Sequence, residues 1–214
     1  MPVTDPVQRM VRCGVIPVVV LPDAESALPL AHALLAGGID VIEVTLRNEA
    51  GLAGLEQVAR HVPQMLAVAG TVITASQMQQ VANAGAACVV SPGFTQEVDA
   101  AAKSLAMPWL PGVSTASDCM QALSAGRELV KFFPAEQAGG AAMIKALGGP
   151  YPGLSFCPTG GVTLANMLDY FSLKSVKLVG GSWIAPLELV KTQQWSTITQ
   201  LAKQARAAVE TLRG

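Results

Sequence analysis

A chain of 214 residues that is 51% hydrophobic and 14% charged holds enough apolar material for one compact domain and too much for a disordered segment. A formal net charge of -1, with no cluster of Lys and Arg, leaves no electrostatic footprint for nucleic acid or an anionic membrane; the expected partners are small molecules and further copies of the chain. Every long apolar stretch is broken by charge, Gly or Pro short of a membrane span, and the first residues lack the apolar core of a signal peptide, so a cytoplasmic location is expected.

In chain order, the first β-favouring run is IPVVVL at 16–21, followed by the helical pattern AESALPLAHALLAG and then DVIEVTL at 40–46. LAVAGT at 66–71 precedes ASQMQQVANAG, ACVVS at 87–91 precedes TQEVDAAAKSLA, and WLPGV at 109–113 precedes ASDCMQALSAG. ELVKFF at 128–133, SFCPTG at 155–160 and VKLVGG at 176–181 complete the series. Several helical patterns end at a glycine suited to a helix C-terminus. Short Val- and Ile-rich runs alternating with Ala-rich helices predict βα units around a parallel sheet, and their repetition predicts an α/β fold of the (β/α)8 TIM-barrel type, one domain spanning 1–214. A doubly wound open sheet is the alternative.

Cys13, Cys88, Cys119 and Cys157 show neither CxxC nor zinc spacing and read as reduced core thiols; no metal site is implied. His32 and His61 fall in helical segments without a catalytic partner and read as structural. Met78, Met120, Met143 and Met167 read as core filler in separate helices. Trp109, Trp183 and Trp195 read as packing or subunit anchors, with Trp183 at a pocket rim.

Lys131 interrupts the apolar run LVKFF, where an ammonium is costly to bury unless it is paired or neutral. Side chains alternate along a strand, which puts Glu43, Thr45 and Arg47 on one face and Ile42, Val44 and Leu46 on the other. The apolar face suits helix packing, so Glu43 and Arg47 are expected to point inward near the strand's carboxyl end, where barrel enzymes build their sites. Leu129, Lys131 and Phe133 share a face, as do Ala67, Ala69 and Thr71; if these also point inward, the polar residues converge. The plainer alternative is a buried Glu43–Lys131 ion pair with Arg47 at its rim. CPTGGV at 157–162 and VGGSW at 179–183 follow the last two strands, where exposed backbone N–H groups commonly hold a phosphate.

Through GGIDVIEVTLR, AGTVITASQ, AGAACVVSPGFT, PWLPGVST, KFFPAE, FCPTGGV and KSVKLVGGSW the chain resembles the 2-keto-3-deoxy-6-phosphogluconate (KDPG) aldolases, a family that includes bifunctional 4-hydroxy-2-oxoglutarate (KHG) aldolases. The resemblance implies a homotrimeric class I aldolase barrel working without a cofactor, with Lys131 as the Schiff-base lysine and Glu43 as acid and base. It further implies Arg47 and Thr71 at the pyruvate carboxylate, Pro92 and Phe133 lining the pocket, and Thr159 near the bound ketoacid. Gly160, Gly161, Gly181 and Ser182 fall at the distal hydroxyl and phosphate end. Around the first strand Asp23 and Glu25 are acidic and Arg12 is the one candidate cation, so phosphate binding is expected to rest on backbone dipoles. The remaining readings are a noncatalytic phosphate-ligand barrel and a related aldolase acting on the galactonate epimer.

These residue types suit the chemistry. Cleaving the C3–C4 bond of a 2-keto-4-hydroxy acid leaves carbanion character on C3, and a protonated imine at C2 absorbs it better than a ketone. A carboxylate can take the C4 hydroxyl proton and return a proton to the enamine. The planar fork of Arg47 matches a carboxylate.

Overall fold

A computed structural model describes residues 5–213. Helix α1 (Pro6–Cys13) starts behind Asp5, whose carboxylate accepts the Val7 N–H at 2.9 Å, with Pro6 at the first helical position. The strands are β1 (Val15–Val19), β2 (Val41–Thr45), β3 (Leu66–Gly70), β4 (Cys88–Val90), β5 (Trp109–Leu110), β6 (Gly112–Val113), β7 (Leu129–Phe132), β8 (Ser155–Pro158) and β9 (Val179–Gly181). Between them lie α2 (Ala27–Ala36), α3 (Glu49–His61), α4 (Ala75–Asn83), α5 (Gln96–Ser104), α6 (Ala116–Ser124), α7 (Gly140–Gly148) and α8 (Met167–Phe171). Two helices, α9 (Leu187–Lys191) and α10 (Trp195–Arg213), close the described chain.

All pairings are parallel. Six strands form one sheet in the order β5-β4-β3-β2-β1-β9, and three form another in the order β6-β7-β8. Bridges Phe156↔Val176 and Thr159↔Gly180 link β8 to the segment carrying β9, so the parallel sheet is strongly curled. Every residue of β1, β2 and β3 is buried, as expected where helices cover a sheet whose other face is also enclosed. Three successive helices start on a threonine cap: Thr74, Thr95 and Thr115 accept N–H groups of Gln77, Val98 and Asp118 at 3.1, 3.2 and 3.3 Å. These caps aim helix N-termini toward the end of the sheet where the strands finish. Gly85 and Gly126, at φ +87° and +78°, end α4 and α6 as anticipated.

The structure corrects several sequence expectations. The run WLPGV is two strands, because Pro111 has no N–H for the ladder; its carbonyl still accepts the Lys131 N–H at 2.9 Å. Met78 and Met167 are core residues, but Met120 and Met143 are 59% and 38% exposed. Their helices bury Cys119 and Ala122, and Ile144 and Leu147, which turns those two methionines outward. All four cysteines are buried and free. His32 and His61 are exposed on their helices. Trp109 is buried, 5.5 Å from Phe94 between ring centroids, and donates its Nε1–H to Ser91 Oγ at 2.8 Å.

Candidate active site

Lys131 on β7 and Glu43 on β2 belong to different sheets and meet across the space between them, with Nζ 3.1 Å from Oε1. Residue exposures of 4% and 2% remove both from bulk water. Strand register explains the encounter. Glu43 is level with Val18 and Val68, and Lys131 with Gly112 and Cys157, and residues level in neighbouring parallel strands share a face.

Two glycines make room for this group. A Cβ on Gly70 would lie 2.7 Å from Glu43 Cγ, and one on Gly180 would lie 2.5 Å from Thr159 Oγ1. Sequence reasoning gave Gly70 no role and read Gly180 only as part of the VGGSW glycine pair expected to offer N–H groups to a phosphate. The signal was present as glycine at an inward strand position, which marks close approach of another group. Cys157 lies beside the pair. Burial, then the Glu43 charge, pushes its thiol up to about 12, with Lys131 and a contact to Thr159 pulling back.

Next to the pair is a cleft of about 520 Å³, which Val18, level with Glu43, and Phe133 line, while Lys131 and Glu43 themselves lie behind its wall. Arg47, Phe133, Thr159, Gly160, Gly161, Gly181 and Ser182 all line it. The ring of Phe133, which lines the cleft, stands 5.3 Å from Lys131 Nζ. Trp183 lies on the rim as expected. The cleft therefore joins a guanidinium, one turn of two glycines at φ +99° and +78°, and a serine hydroxyl beside a buried amine and carboxyl. Arg47 is beyond the end of β2 and exposed, so it reaches this space from the mouth rather than from the strand face.

The remaining expected residues are placed differently. Ala67, Ala69 and Thr71 do not form the inward face of β3. Val68 is level with Glu43, and Gly70 faces the carboxyl, so that face is Leu66, Val68 and Gly70. Thr71 follows the strand at φ +63°, where alternation no longer applies. A left-handed β-branched residue is strained and persists where its neighbours determine it. Here Ser91 Oγ donates to the Val72 carbonyl at 2.5 Å and is itself held by Trp109. Thr71 and Pro92 are both half-buried and, like Lys131 and Glu43, lie outside the residues lining the cleft; the Pro92 carbonyl abuts Gly112. Arg12 and Glu25 do not line it either, and Asp23 is spent on the Ser26 N–H and Oγ at 2.8 and 2.7 Å. The cation at the cleft is Arg47. A larger depression of about 840 Å³ between α5 and α6 includes Phe94 and Met120 and none of these groups.

Among the described residues no three His, Cys, Asp or Glu side chains cluster as a metal ion would require, and no helix is long and apolar enough to cross a membrane.

Comparison with known proteins gives a concordant result. The family model "KDPG and KHG aldolase" matches residues 7–201. The 2-dehydro-3-deoxy-phosphogluconate aldolase of Pseudoalteromonas atlantica is 47% identical over 193 residues, 90% of each chain. The KHG/KDPG aldolase of Escherichia coli K12 is 42% identical over 191 residues, 89% of this chain and 90% of its own. Among solved structures, the KDPG aldolase of Legionella pneumophila, with pyruvate captured at low pH as a covalent carbinolamine intermediate, superposes with a TM-score of 0.90 at 46% identity. That match covers 94% of this chain and 97% of the other.

Proposed function

The chain belongs to the KDPG and KHG aldolase family, and from that premise we propose that it is a Schiff-base aldolase cleaving 2-keto-3-deoxy-6-phosphogluconate to pyruvate and D-glyceraldehyde 3-phosphate. 4-Hydroxy-2-oxoglutarate, split to pyruvate and glyoxylate, is its second substrate, a reading supported by the name of the E. coli relative. The observation that carries the proposal is the buried Lys131–Glu43 contact at 3.1 Å beside a cleft whose cation is Arg47.

Lys131 Nζ, as the free amine, adds to the C2 carbonyl; the carbinolamine loses water to give the protonated imine. Glu43 takes the C4 hydroxyl proton, the C3–C4 bond breaks, and its electron pair moves into the imine to form an enamine with release of the aldehyde. The protonated Glu43 returns its proton to C3, and water hydrolyses the pyruvate imine to free Lys131. Arg47 and Thr71 hold the substrate carboxylate, Phe133 and Pro92 bound the apolar side, and Thr159 contacts the ketoacid. Gly160, Gly161, Gly181 and Ser182 receive the phosphate through N–H groups and one hydroxyl. No cofactor takes part in these steps.

The remaining features of this reading follow the family. The two sheets and their bridges are one closed (β/α)8 barrel, residues 1–214 are one domain, and the enzyme is a cytoplasmic homotrimer. The direct test is turnover of both substrates by the purified chain. Equimolar pyruvate and aldehyde are expected from each, and release of pyruvate from neither refutes the assignment.

A further inference from the structure

Of the polar pairs that the aldolase mechanism leaves unused, one lies directly behind the glycine turn of the cleft. Tyr170 on α8 has a buried ring, 1% exposed, and its hydroxyl donates to Glu136 Oε1. Burial first, and then the Glu136 carboxylate, raise the affinity of that phenol for its proton, so it remains a donor. Glu136 does not line the cleft. Its stem instead packs against Gly161, where a Cβ would lie 2.7 Å from Glu136 Cβ. The backbone is tied to the same turn: Ala135 N–H donates to Thr159 C=O at 2.8 Å, and Glu136 N–H to Gly160 C=O at 3.1 Å. From the N-cap of α8, Asn166 Nδ2 adds a bond to Gly161 C=O at 3.0 Å.

Gly160 and Gly161 sit at φ values that few residues tolerate, and a two-glycine turn does not hold such a conformation unaided. A carboxylate next to an anion-binding turn is also unfavourable unless it is engaged elsewhere. The Tyr170 bond answers both needs by fixing the Glu136 stem over Gly161 and keeping one carboxylate oxygen on a donor outside the cleft. We infer that Glu136 and Tyr170 form a positioning pair that holds the Gly160–Gly161 turn in its anion-binding conformation and so sets the preference for phosphorylated over unphosphorylated ketoacids. This rests on the phosphate assignment of the proposed function and deepens it.

The test is calorimetric titration of the full chain with inorganic phosphate, which needs no turnover. Tyr170→Phe and Glu136→Ala should each weaken phosphate binding about three- to tenfold, the effect of one lost hydrogen bond. Glu136→Gln keeps the stem and an oxygen that accepts from Tyr170, so it should stay within about twofold of wild type. Borohydride trapping of pyruvate should be unchanged in all three. The inference is overturned if all variants bind phosphate like wild type, if Glu136→Gln is as damaged as Glu136→Ala, or if trapping and phosphate binding fall together, which is general unfolding. Absence of phosphate binding by wild type overturns it as well. Failure of the aldolase assignment is distinct, since it appears as wild-type protein that turns over neither substrate.

Discussion

The carboxyl group of Glu43 occupies space that Gly70 leaves empty: a methyl group there would stand 2.7 Å from Cγ and 2.9 Å from Cδ. The Glu43 rotamer that reaches Lys131 thus depends on a residue with no side chain. Gly70→Ala should displace the carboxyl by a fraction of an ångström to an ångström and cut kcat on the order of ten- to a hundredfold. KM should change less, because the cleft is untouched. Steady-state kinetics decide it, and a normal kcat would mean that Glu43 need not hold this position.

Glu43→Gln keeps the shape and removes the titrating group. Turnover should fall by about two orders of magnitude or more, while imine formation with pyruvate persists better. Near-normal turnover would assign proton transfer to another residue or to water.

Ser182 is exposed on the cleft wall beside buried Gly181. Losing one charge-assisted hydrogen bond to phosphate should lower kcat/KM for the phosphorylated substrate about ten- to a hundredfold in Ser182→Ala. 4-Hydroxy-2-oxoglutarate, with no phosphate, should be spared. Equal losses on both substrates would make VGGSW an ordinary turn.

Cys88 and Cys157 are buried, and that burial lifts both thiols from an ordinary 9.0 to about 12. A folded-state value above the unfolded one contributes stability that is complete below pH 9 and is lost as pH rises toward 12. Urea midpoints should therefore decline across that alkaline window, and less steeply in Cys88→Ala than in wild type. The thiols should also resist a disulfide reagent at pH 8 until the protein is unfolded, and rapid native labelling of Cys157 would contradict its enclosure.

Alternation along two strands was enough to bring Glu43 and Lys131 to one place, because each is a lone charge whose strand neighbours are apolar. The glycines near the last two strands were likewise legible as cleft residues, although Gly180 and Gly181 belong to β9 itself and only Gly160 and Gly161 follow their strand as a turn. The inward face of β3 was not: in a strand buried on both sides, Leu66–Val68–Gly70 and Ala67–Ala69 carry no hydrophobic contrast, and only register separates them. Thr71 gave no sign of φ +63°, since β-branched residues normally avoid it. The Glu136–Tyr170 bond spans 34 residues and two elements, beyond any local pattern. Met120 and Met143 show the same limit, since hydrophobic type says nothing about which side of a helix the core lies on.

The central claim is that Lys131 is the imine-forming amine, and reductive trapping tests it most directly. The protein is incubated with pyruvate and borohydride, digested, and its lysines are mapped by mass. Lys131 should carry the reduced pyruvate adduct in proportion to lost activity, while Lys145, Lys174 and Lys177 remain unmodified. Active protein that is inactivated without modification at Lys131, or that carries the adduct on another lysine, would contradict the account.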